Sequence, residues 1–165
     1  MHMTRSNRVI STTAAAALAM VTLTAVPAFA DGSGGDSVLS APLIGSTPAP
    51  VSPSIAGITP GGAPWVNGPS MVRVGEDGRI TVTIRGLVIP PPVGKGFNPF
   101  ASVVATLVCD NMVEDSTAPF ALSADGNGST TDMIAAPRHC EDPVVLIRPF
   151  PKLAVYIASA MGEDD

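Results

Sequence analysis

Gly78-Arg79-Ile80-Thr81-Val82-Thr83-Ile84-Arg85-Gly86 decides the fold class. Ile80, Val82 and Ile84 fall on one side, and Arg79, Thr81, Thr83 and Arg85 on the other. That period of two belongs to a half-buried strand and not to a helix. β-Branched residues occupy both sides, which suits a pleated surface. Just upstream, Val72-Arg73-Val74 alternates as well, and Gly75-Glu76-Asp77-Gly78 between the two stretches carries the Asp-Gly hairpin signal. The reading begins as a β-hairpin.

Downstream, Leu87-Val88-Ile89 ends at Pro90-Pro91-Pro92, which cannot continue a ladder. A loop through Gly94-Lys95-Gly96-Phe97-Asn98-Pro99 leads to residues 101–109. There Val103, Ala105, Leu107 and Cys109 take one side and Val104 and Val108 the other, so a central strand buried on much of both faces is expected. Residues 119–123 and 129–135 flank the turn Asp125-Gly126-Asn127-Gly128; residues 143–148 and 153–160 flank Pro149-Phe150-Pro151. Seven or so short strands with turns between them predict an all-β fold, an antiparallel immunoglobulin-like β-sandwich over residues 65–165. A small barrel is the alternative.

The strand Gly78-Arg79-Ile80-Thr81-Val82-Thr83-Ile84-Arg85-Gly86-Leu87-Val88 with its Pro-rich loop, the valine-rich strand ending in Cys109, and Cys140-Glu141-Asp142-Pro143-Val144-Val145 carry a resemblance. Together they resemble an uncharacterised group of small exported β-rich proteins of GC-rich Gram-positive bacteria. The likeness spans about residues 70–157 through generic strand patterns, so it implies a fold type and an export route but no catalytic residues.

Composition agrees with a β fold. Pro and Gly supply 33 of 165 residues, too many for a helix bundle, while 45 % apolar residues are too many for a disordered chain. Aromatic residues make only 4 %, which leaves few stacking platforms for sugars or bases.

The N-terminus carries an address. Arg5 and Arg8 precede a mostly apolar run, and Ala28-Phe29-Ala30 places small residues where a signal peptidase cuts. Residues 1–30 are therefore expected to be a secretory signal peptide cleaved after Ala30. Thr12, Thr13, Thr22, Thr24 and Pro27 interrupt the run and argue against a transmembrane anchor. No later stretch is long and apolar enough to span a membrane, so a secreted, extracellular protein follows. Beyond Ala30, seven cations face 14 anions, a net charge of −7. Nucleic acid is excluded as a partner on that balance.

Residues 31–64 are rich in Gly, Ser and Pro, as in Ser46-Thr47-Pro48-Ala49-Pro50-Val51-Ser52-Pro53. A disordered, partly polyproline linker is expected there, either a spacer from a cell wall or a tail without a partner. Trp65 marks where the chain docks onto the folded domain. Cys109 and Cys140, the sole cysteines, predict one disulfide in an oxidising compartment.

The chemistry that remains is sparse. His139, the single histidine beyond the leader, has no Ser in a nucleophile elbow to serve. Glu76-Asp77, Glu114-Asp115 and Glu141-Asp142 are expected to be solvated loop charges. Asp125, Asn127 and Asp132 begin like a calcium loop, but Thr130 and Ala136 stand where its Gly and Glu belong, so a hairpin turn is expected. No catalytic residue, metal site or cofactor is implied, and the chain is not expected to be an enzyme. An exported binding or structural module, with an extracellular or envelope protein as partner, is the first function class. An extracellular small-molecule carrier of β-sandwich type is the second. Lys95, Phe97 and Phe100 form a candidate partner-binding loop, the alternative being that both rings turn inward to cap the sandwich.

Overall fold

The computed structural model describes residues 36–162; the expected leader and its cleavage site lie outside the described residues. The described chain is all-β. Its strands are β1 (Ser37–Pro42), β2 (Ile44–Gly45), β3 (Thr59–Pro60), β4 (Met71–Gly75), β5 (Arg79–Ile84), β6 (Ser102–Cys109), β7 (Met112–Ser116), β8 (Phe120–Ala121), β9 (Gly128–Met133), β10 (Val144–Pro149), β11 (Val155–Tyr156) and β12 (Ala158–Met161). One antiparallel sheet runs β1-β4-β5-β9, and a second runs β2-β12-β10-β6-β7, with β8 also on β6. β11 and β3 form a short parallel pair.

The alternation in β5 does what its sequence dictates. Ile80, Val82 and Ile84 are buried with Val72 and Val74 of β4, against Val103, Ala105 and Leu107 of β6 and Val145 and Ile147 of β10. The apolar faces of the two sheets therefore enclose one core, the arrangement of a β-sandwich. At the β4–β5 turn, the Gly78 N–H donates to the Gly75 carbonyl at 3.0 Å, and Gly78 takes a φ of 82°. That left-handed conformation is the reason for glycine in the Asp-Gly signal.

Four expectations need correction. The first is the linker. Residues from 36 onward belong to the folded domain: β1 pairs with β4 from Ser37 to Pro42, and β2 pairs with β12. Leu39, Ala41 and Leu43 alternate into the core, a period of two carried by small residues in Pro-rich surroundings. The segment between β2 and β3 then crosses the outer face of the second sheet. Ile55 and Ile58 pack there on Val108, Leu146 and Tyr156, and the Tyr156 hydroxyl donates to the Pro53 carbonyl at 2.6 Å. This strap turns at Ala56 and Gly57, both with positive φ, in a two-residue bend closed by Ile55–Ile58 hydrogen bonds. The strap thus covers the outward Val108 of β6, while the outward Thr106 is bonded to Ser116 and Arg148.

The second is the strand count. Among the described residues twelve strands, several of only two residues, stand where about seven were expected, because β1, β2, β3 and β7 lie in stretches without a long apolar run. Residues 87–89 make only the isolated bridges Val66–Val88 and Ile89–Phe97, and residues 153–160 divide into β11 and β12. β7 follows a turn at Asp110 and Asn111, both at positive φ, which these two residue types tolerate best after glycine.

The third is the turn at residues 125–128, which does not close a hairpin. β8 pairs with β6 and β9 pairs with β5, so the chain crosses there from one sheet to the other. Gly126 sits against the backbone of Leu87 with a φ of 74° and no room for a Cβ. The fourth is Asp115, which is not a solvated loop charge but a strand residue bonded to the Ala135 N–H.

The strap makes a definite prediction. Limited proteolysis is expected to leave residues 37–63 attached to the resistant core, and Ile58→Ala is expected to lower stability by about 2 kcal/mol. Early cleavage between Ser46 and Thr59 in the native protein would show that the strap does not hold.

Candidate functional site

Cys109 ends β6 and Cys140 lies in the loop before β10; their sulfurs are 1.97 Å apart, a disulfide. It fastens one end of the sandwich, where the Asp110 N–H also donates to the Glu141 carbonyl at 3.1 Å. His139, next to it, is exposed.

The loop from Pro90 to Phe100 separates its two aromatic rings. Phe100 turns inward and stacks on buried Trp65 with centroids 5.9 Å apart, whereas Phe97 is 45 % exposed. Lys95 is exposed at the tip. The divider is Asn98, buried between the two. Its Nδ2 donates to the carbonyls of Phe100, Ser123 and Leu122, and its Oδ1 accepts from the Phe100 N–H at 2.9 Å. An amide that satisfies four backbone contacts pins the loop to the crossing turn, and it is a residue that sequence reasoning passed over. Asn98-Pro99 was the available signal, a polar side chain between two aromatics in a turn.

The carboxylates do structural work. Asp115, on edge strand β7, was expected to be a solvated loop charge; instead its Oδ2 accepts from Ala135 N–H, just past β9, at 2.8 Å. Asp132, on edge strand β9, accepts in turn from Ala118 N–H, just past β7, at 2.8 Å. Each also accepts from the N–H of its own following residue, Ser116 or Met133. The two acids thus clasp the open edges of the two sheets reciprocally. The N–H groups of Ala118 and Met133 hold the Asp132 carboxyl below the usual carboxylate range. Asn127 is likewise occupied, accepting from Gly86 N–H at 3.0 Å. The Asn127 Oδ1 and both Asp132 oxygens are thus taken up by backbone N–H groups, and among the described residues no group of three or more His, Cys, Asp or Glu could hold a metal.

A concavity lies elsewhere among the described residues. It is a half-open groove of about 630 Å³ on the outer surface of the first sheet, at the β4–β5 turn. Ser40, Arg73 and Thr81 form its floor, in register across β1, β4 and β5. Asp36, Glu76 and Asp77 rim it at the turn, where Asp77 lies 3.9 Å from Arg79. Its lining mixes hydroxyl, guanidinium and carboxylate groups with apolar surface, Val74 among its residues.

No family model, curated protein or solved structure matches the chain.

Two measurements test this geometry. Phe100→Ser is expected to lower stability by about 3 kcal/mol, whereas Phe97→Ser changes it by less than about 1 kcal/mol. Equal losses from both would mean that both rings are core. For Asp132, the folded-state pKa is depressed, so its contribution is complete above the unfolded value and disappears as pH falls through the folded one. Asp132→Asn is therefore expected to unfold at lower denaturant than wild type at pH 7, the gap closing below about pH 4. A gap unchanged from pH 7 to pH 2 would contradict the clasp.

Proposed function

We propose that the protein is an exported, non-enzymatic binding or structural module of the envelope or extracellular space, built on an immunoglobulin-like β-sandwich. The chain passes from one sheet to the other between β5 and β6, β8 and β9, and β9 and β10, which favours a sandwich of that type over an up-and-down barrel. A disulfide across a loop of 31 residues fits an oxidising destination.

One observation carries the choice between module and carrier. The space between the sheets is filled: Val72, Val74, Ile80, Val82, Leu107, Val145 and Ile147 all lie fully buried in the core. The groove at the β4–β5 turn is instead half open and on the outside. A carrier needs an apolar interior volume, and a binding module needs an accessible outer surface. The arrangement favours the module, with an extracellular or envelope protein as its partner.

Protein recovered from the medium of its native host is expected to begin at Asp31. Native mass spectrometry should give the mass of the polypeptide alone with one disulfide, and the protein should co-sediment saturably with the isolated envelope. Retention in the cytoplasm with Met1 intact would overturn export. A stoichiometric apolar small molecule in the native spectrum would return the carrier reading.

A further inference from the structure

The two sheets treat their outer faces in opposite ways. The strap packs on the outer face of the second sheet at Val108 and Leu146, whereas the outward positions of the first sheet have no such cover and are exposed or half-buried. Those outward positions also have a distinctive composition. β4 and β5 present Arg73 and Arg79, Arg85 continues the line of β5, and Met71 and Met133 stand at the margins. Hydroxyls fill the space between, with Thr81 Oγ1 and Thr131 Oγ1 3.3 Å apart across β5 and β9. None of the outward strand positions carries Asp, Glu or Lys; the acids Asp36, Glu76 and Asp77 stand at the turn end only. Among the described residues, Arg79 is paired with Asp77, whereas Arg73 and Arg85 have no carboxylate within ion-pair distance.

A chain whose overall charge is −5 thus gathers three of its nine cations on one open face. Arg and Met are enriched at protein–protein contacts, where Lys, Glu and Asp are depleted. Guanidinium groups grip carboxylates in two-pronged hydrogen bonds, which long-range charge alone does not provide. We propose that the outer face of the β1-β4-β5-β9 sheet is the docking surface for an acidic protein segment, with Arg73 and Arg85 as its carboxylate anchors. This rests on the binding-module reading and names the surface and the partner's chemistry.

Charge and area both bear on the occupant. Isologous docking of a second copy about a two-fold axis along the strands would set arginines against arginines and turn acids against turn acids. From Arg79 to Arg85 the face is about 20 Å long, and four strands make it about 15 Å wide. That is roughly 300 Å² per partner, well short of the ~800 Å² a side of a stable complex. The contact is therefore transient and steered by charge, so it weakens with salt.

The test uses the full chain and a fluorescent oligoglutamate peptide, read by anisotropy. Binding is expected to weaken at least about tenfold in the triple variant Arg73→Glu, Arg79→Glu, Arg85→Glu and with added salt, but not in Lys95→Glu or Arg138→Glu. All three arginines are exposed, so the variant should keep its thermal midpoint; the corresponding triple Gln variant gives the same reading if it does not. Equal binding by wild type and both triple variants overturns the proposal. So does tighter, equally arginine-dependent binding of polyphosphate or phosphatidylglycerol vesicles, which would assign the face to phosphates. Arginine-dependent self-association in sedimentation would assign it to a second copy and overturn the proposal too. Envelope co-sedimentation that survives in the triple variants would leave the module reading standing while this inference falls.

Discussion

The two-sided burial of β6 is the constraint on which the rest depends. A strand in mid-sheet, apolar in both directions, needs a cover on each face, because leaving either bare exposes a row of valines and leucines to water. The first sheet supplies one cover through Ile80, Val82 and their neighbours. On the other face a segment that is not itself a sheet, the Pro-rich stretch, covers Val108 and the neighbouring Leu146, and Arg148 and Ser116 bond to Thr106. That segment contributes little apolar surface of its own, chiefly Ile55 and Ile58, and relies on point attachments to stay in place. The Tyr156–Pro53 bond is one, and Asn111 Oδ1, which accepts from Ala56 N–H at 2.7 Å, is another. Two tight turns with positive φ, one in the strap and one between β6 and β7, are thereby tied together.

Closing the sandwich at its sides is a separate problem with a polar solution. Edge strands carry unpaired backbone groups that invite association with other chains. Here Asp115 and Asp132 each reach from one sheet's edge to a backbone N–H beyond the other's, and the disulfide restrains the adjoining loop. A carboxylate is well suited to the task, since its two oxygens accept from a local and a distant N–H at once. The asymmetry of the outer faces follows. One is apolar and spent on internal packing; the other is polar and left available, which is where a binding role for this domain would reside.

The hairpin of β4 and β5, the two-sided strand β6, and the strands β9 and β10 were legible because each declares itself within a window of ten residues. Alternation and a turn residue are properties of local covalent geometry. The cysteine pairing was legible by count. β1 and β7 were not: Leu39 and Ala41 make a weak local pattern whose partner strand β4 lies far along the chain, and β7, though it pairs with the strand just before it, carries the charged Glu114-Asp115 in place of an apolar alternation. The loop residues Phe97 and Phe100 were equally beyond local reading. Two identical side chains three positions apart take opposite environments because Asn98 is anchored to Leu122 and Ser123 across the structure.

By itself, then, the sequence determined the all-β class of the described residues, where the strongest strands lie, and that the cysteines number a single pair. It even held the clue that β6 needed a second cover. Only the tertiary structure decided that the Pro-rich stretch provides that cover, that the acids of β7 and β9 clasp the edges, and which sheet face stays open. The physical reason is that burial and hydrogen-bond satisfaction are settled by what arrives from distant parts of the chain. A proline-rich segment has too little apolar surface to fold alone, yet enough to complete a face already built.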